Sequence, residues 1–144
     1  MFKDLTVTFF LLFVGITAAM GQEAEIKDEK VMMDGKQIFR YEKINIFEQS
    51  LFSLDGDEIL FLKKATDASF DYYILNFVTA KKKIVTSDIS HIYSGAGLNS
   101  KKNLQKVINW LIKEKVLDSE GKINQVKLDI FFEKYNEDLS KRKF

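Results

Sequence analysis

The chain changes its apolar period once, and that change limits the folds open to it more than any other feature. Up to about residue 88 apolar residues alternate in short runs, and from Ser100 onward they recur at helical spacing. Alternation specifies half-buried strands, whereas the later spacing specifies helices with one apolar stripe. Two Asp-Gly pairs punctuate the first part. Asp34-Gly35 separates VMM from KQIFRYEK, and Asp55-Gly56 separates SLFSL from DEILFLKK. Asp-Gly supplies the positive φ angles of a tight hairpin. In the second ribbon Phe52, Leu54, Ile59 and Phe61 alternate as one half-buried face. A third hairpin is expected where DYYILNFVT and KIVTSD, rich in aromatic and β-branched residues, flank a run of lysines. In the first of these runs Tyr73, Leu75 and Phe77 read as the core face.

The helical part divides in two. Leu104, Val107, Ile108, Leu111 and Ile112 form one stripe, with Ser100 as its N-cap. Leu128, Phe131, Phe132 and Tyr135 form the second, capped by Asn124, with Ile123 placed to staple onto Leu128. The expected fold is therefore α+β: an antiparallel meander of about five or six strands over residues 30–88, covered by two C-terminal amphipathic helices near 100–116 and 124–136.

The first residues read as a secretory signal peptide: Lys3, an apolar run from Leu5 to Ile16, then small residues. At 1.5 Å per residue that run spans roughly 18 Å, short of a hydrocarbon core of about 30 Å. Cleavage is expected after Gly21, with Ala19 as the alternative. Gln22 to Glu29 then reads as a flexible leader, residues 30–139 as a single domain and 140–144 as a charged tail. The chain has no cysteine, so neither a disulfide nor a lipidated cysteine is available to it. The expected product is exported, periplasmic or secreted, and soluble after cleavage, with no transmembrane anchor left.

The formal net charge of +1 argues against a nucleic-acid partner. Reactive constellations are also refused one by one. SGAGLNSKKN places Gly95 and Gly97 before a helix, but no lysine follows Gly97 as a Walker loop requires, and the third glycine of a dinucleotide loop is missing. A turn accounts for both glycines. The segment VLDSEGKINQVK imitates a calcium loop at Asp118, Glu120, Gly121 and Ile123. Its ends are Val116 and Lys127, where that loop needs carboxylates. His91 is the only histidine, which leaves zinc sites without ligands and any triad dependent on its sequence neighbours Asp88, Ser90 and Ser94. The acids Asp55, Asp57 and Glu58 read as a solvated hairpin tip. Nothing in the sequence points to a cofactor or a resident metal.

What remains is aromatic and basic. Phe70, Tyr72, Tyr73 and Trp110 are the candidate ligand-binding side chains, with Trp110 also fitting burial at the sheet edge. Lys81, Lys82 and Lys83 at one turn and Lys101 and Lys102 on a helix start are the candidate anion contacts, toward a headgroup or polysaccharide of the envelope surface.

In order and rhythm, DGKQIFRYEK, SLDGDEILFL, YYILNF and KVLDSEGKINQVKLDIFFEKY resemble a group of small exported bacterial proteins that carry no assigned function. The resemblance implies an exported meander-plus-helices domain and transfers no site residues. The function expected from the residues is a non-catalytic binding or interaction module for a protein or a small apolar or aromatic ligand. The alternatives are an envelope hydrolase using paired carboxylates and a structural component of an envelope complex.

Overall fold

A computed structural model describes residues 23–67, 70–92 and 100–139. The signal-peptide, charged-tail and glycine-loop readings at residues 1–21, 140–144 and 94–99 lie outside the described residues. Among the described residues seven strands form one antiparallel sheet in sequence order: β1 (Ala24–Lys27), β2 (Lys30–Met33), β3 (Lys36–Lys43), β4 (Glu48–Phe52), β5 (Glu58–Asp67), β6 (Phe70–Phe77) and β7 (Lys82–Thr86). A short 3-10 turn (Ile89–His91) and two helices, α1 (Ser100–Lys113) and α2 (Gln125–Tyr135), follow. The architecture is the expected α+β meander with two C-terminal helices, and the sheet is slightly larger than the sequence suggests.

The additional strand, β1, lies within the stretch read as a leader. Ala24 is fully buried, and Asp28, at φ 54°, turns the chain so that Lys27 pairs with Lys30. What holds β1 comes from far along the chain. Asn109 of α1 accepts from the Ala24 amide at 2.7 Å and donates to its carbonyl at 3.3 Å, and Gln105, one helical turn earlier, accepts from the Ile26 amide at 3.0 Å. Two amide side chains at i and i+4 thus take the place of a neighbouring strand.

Asp34 and Gly35, with φ of 52° and 75°, make the two-residue turn expected between β2 and β3. The second Asp-Gly closes a longer loop, in which the Ser53 amide donates to the Asp57 carbonyl at 2.8 Å and only Gly56 has positive φ. On that hairpin most of the core contact comes from the face opposite Phe52, Leu54 and Phe61. Leu51, Leu60 and Leu62 are buried, Phe52 and Phe61 are half-buried on the other face, Ile59 is half-buried against the core, and Leu54 is exposed. Both faces are apolar there, so alternation does not choose between them. Register does: Tyr41 pairs with Leu51, Leu51 with Leu60, and Leu62 with Leu75.

Helix α1 buries Leu104, Val107, Ile108 and Leu111, and α2 buries Leu128 and Phe131. The Asn124 cap forms as expected, its side chain accepting from the Lys127 amide at 3.1 Å. Helix α1 stops at Lys113, short of residue 116, because Lys115 adopts φ 63° and the Val116 amide turns back to the Leu111 carbonyl at 2.9 Å. No glycine announces that stop.

The elements close into a ring. The strands pair in order, α1 meets β1 through Gln105 and Asn109, α1 meets α2 through Trp110 and Phe131, and the chain after α2 meets β7. One continuous apolar core fills its interior. Among the described residues no helix is long and apolar enough to cross a membrane.

Candidate functional site

The chain leaving α2 seals the second sheet edge and in doing so builds a groove. Asn136 ends the helix in an extended conformation, and its side chain accepts from the Val85 amide at 2.9 Å. The Glu137 amide then donates to the Val85 carbonyl at 2.8 Å. The Glu137 carboxylate accepts from Thr86 Oγ1 at 2.8 Å, the Ser87 amide at 2.6 Å and Ser87 Oγ at 2.7 Å. Asn136 and Glu137 are thereby fixed along β7 as a wall that Asp138 and Leu139 extend.

The floor is the outer face of β6 and β7. Ile74 pairs with Val85 and Asn76 with Lys83, so Tyr72, Ile74, Lys83 and Val85 project together. Phe132 of α2 forms the other side, beneath Lys82, whose Nζ lies 4.8 Å from the ring centre and 3.0 Å from Asp129. The Lys82 ammonium, first through its hydrogen bond and then with help from Gln125, holds the Asp129 carboxyl below its usual range. The open cavity measures about 680 Å3. Three carboxylates, Asp67, Glu137 and Asp138, also line it. Both oxygens of Glu137 are committed to Thr86 and Ser87, which suits a positioning role and not proton transfer.

The structure brings only part of the expected site together. Tyr72 lines the groove, and Phe70 packs beside it at 5.9 Å between ring centres. Tyr73 points the other way into the core. Trp110 is buried between the helices, against Phe131 at 4.6 Å and Tyr135 at 4.8 Å. Of the lysines, Lys83 reaches the groove and Lys82 its edge. Lys81 occupies the turn at φ 56°. Lys101 and Lys102 start α1 at the other end of the sheet, so the five do not form one anion site.

His91 lies against Trp110, with ring planes at 8° and centres 4.5 Å apart. Beside it the Tyr135 hydroxyl donates to Glu114, which Lys134 approaches to 3.6 Å. Tyr135 and then Glu114 raise the Lys134 pKa above its ordinary value. A histidine that offers its face to an indole is packed as an aromatic side chain. Asp88 accepts from the Ser90 amide at 3.0 Å, and its pKa is lowered chiefly by Ser90. The calcium-like segment is also spent internally, since Asp118 Oδ1 accepts from the Glu120 and Lys122 amides at 2.9 Å each.

A second cleft, about 500 Å3, lies at the opposite end among the β4–β5, β6–β7 and α1–α2 connections. Gly121 there has φ 80°, and a Cβ on it would come within 3.0 Å of the Phe39 ring.

Near the start of α1 the inner face turns polar. Tyr41 and Gln49 are 3% and 4% exposed, and among the described residues neither the phenol oxygen nor Gln49 Oε1 has a hydrogen bond of ordinary geometry. Burial pushes the Tyr41 phenol above its ordinary pKa of 10.0, and neighbouring Ser100 offsets part of that shift. The folded state thus favours the neutral phenol. This contribution is fully present below pH 10.0 and is lost as pH rises through the raised folded value. Tyr41→Phe is expected to leave stability at neutral pH unchanged or raise it by up to about 1 kcal/mol, and to flatten the alkaline loss. Urea midpoints measured across the alkaline range check both.

No protein-family model matches the chain, and no match is found among curated proteins or among solved structures.

Proposed function

We propose that the protein is an exported, non-catalytic binding module that takes a small apolar or aromatic ligand in the groove between the outer face of β6–β7 and the segment after α2. The observation that carries this reading is the groove itself. Tyr72, Ile74, Val85 and Phe132 supply a contiguous apolar lining, and Asn136 and Glu137 hold its wall in place before any ligand arrives. A preformed wall lowers the ordering cost of binding.

The test is a fluorescence titration with the neutral aromatic probe N-phenylnaphthylamine. A saturable increase with one probe per chain is expected for the natural sequence, and loss of that increase for Tyr72→Asp and Ile74→Lys. Both positions lie outside the core, so the variants should keep their thermal unfolding temperature. Equal binding by the natural protein and both variants would remove the groove from consideration.

The paired-carboxylate hydrolase is the second reading, favoured by Asp67 and Asp138 lining the same cavity. It requires turnover of an envelope-derived glycoside that Asp67→Asn with Asp138→Asn abolishes.

A further inference from the structure

Outside the groove, exposed large apolar side chains concentrate at the end of the sheet where α1 begins. In the loop between β3 and β4, Ile44 is 51% exposed, Ile46 44% and Phe47 47%, and Ile89 at the same end is 44% exposed. Single exposed apolar residues are ordinary, but three within four residues on one hairpin tip are not. The tip lies beyond the last paired residues, Lys43 and Gln49, and its shape is built in. The Ile44 and Asn45 amides both donate to the Glu48 carbonyl at 3.0 and 3.2 Å, and Asn45 Oδ1 accepts from the Phe47 amide at 2.8 Å. The Lys64 amide ties the Phe47 carbonyl to β5 at 2.8 Å.

Charge narrows the partner. Around the tip Glu42 meets Arg40 at 3.4 Å, Glu48 meets Lys63 at 3.7 Å and Asp71 meets Lys64 at 3.5 Å. Among the described residues Lys43, adjacent to Ile44, is in no ion pair, so the charge immediately flanking the apolar tip is positive. Both sheet edges are already capped by side chains from the helical half, which removes strand addition as a way to seat a protein here. Apolar tip, rigid loop and a basic neighbour together suit an interface that is apolar within and anionic at its surface.

We propose that the Ile44–Phe47 tip inserts into the headgroup boundary of an anionic phospholipid surface, with Lys43 meeting lipid phosphate. The proposal is independent of the ligand groove. It is tested by co-sedimentation with vesicles of phosphatidylcholine alone and of phosphatidylcholine mixed with phosphatidylglycerol. The natural protein is expected to pellet with the mixed vesicles. Ile46→Ser combined with Phe47→Ser should partition at least about tenfold less, and Lys43→Ala should lose the preference for phosphatidylglycerol.

Because the chain has no cysteine, Ile44→Cys carries a single polarity-sensitive fluorophore without competing sites. Its emission should shift to the blue on vesicle addition, a readout that stands even if the double variant unfolds. No pelleting of the natural protein, or no emission shift, overturns the proposal. So does a concentration-dependent self-association that the double variant abolishes, because the tip would then be a protein interface.

Discussion

Replacing Phe131 with alanine is expected to cost about 3–5 kcal/mol, the range for emptying a buried aromatic site that cannot collapse. Phe131 is 1% exposed and its ring touches both Trp110 and Tyr135 at under 5 Å between centres. Only Leu128 is buried as fully on α2, because Val126 and Ile130 face outward. With Phe131 gone, α2 keeps one deep anchor. The segment that forms the groove wall is attached directly to that helix, so ligand binding should fall with stability. Against a total of about 5–15 kcal/mol for a domain, such a loss leaves a measurable unfolded fraction under mild denaturant. A urea midpoint that falls steeply at an unchanged slope, with Trp110 emission moving to the red, would bear this out. A loss under about 1 kcal/mol would show that α2 is held elsewhere.

The second large effect is expected at Glu137. Glu137→Ala removes one acceptor group serving three donors, and two of those, the Ser87 amide and Thr86 hydroxyl, are then left facing the wall. Hydrogen bonds to a charged group contribute roughly 1.5–3 kcal/mol each in favourable settings, and partial solvent access lowers that here, so about 2 kcal/mol is the expected total. Glu137→Gln keeps an acceptor and should lose less. The local readout is hydrogen exchange: the Ser87 amide should exchange faster in Glu137→Ala while amides in β3 and β4 keep their protection. Unchanged Ser87 exchange would mean that Glu137 does not hold the wall.

Both effects fall on residues whose importance the sequence conceals, and the reason is distance along the chain. Local signals were legible. Asp34-Gly35 turns with both φ angles positive, Asn124 caps α2, and the stripes of both helices face the core as their spacing requires. The Tyr73, Leu75 and Phe77 face was also readable, because its partner face carries Asn76. Signals that depend on remote partners were not. The short run at Ala24 and Ile26 becomes a strand only because Gln105 and Asn109 stand beside it, 79 and 85 residues away. Where β4 and β5 are apolar on both sides, only register separates inside from outside.

The groove follows the same logic. Tyr72 could be named from its aromatic run, but the wall opposite it comes from Asn136 and Glu137, which reach β7 across about 50 residues. A charged stretch after a helix gives no sign that it seals a sheet edge. Trp110 shows the converse, an aromatic candidate for recognition whose place off the main helical stripe is explained by packing between α1 and α2.

The most direct measurement is a titration of nitrogen-labelled protein with N-phenylnaphthylamine, followed by amide chemical shifts. Progressive shifts confined to Tyr72, Ile74, Val85, Phe132 and residues 136–139 are the expected result. Shifts gathered instead around Ile38, Ile59 and Ile123 at the opposite cleft, or none at saturating probe, would contradict a binding module built on the β6–β7 groove.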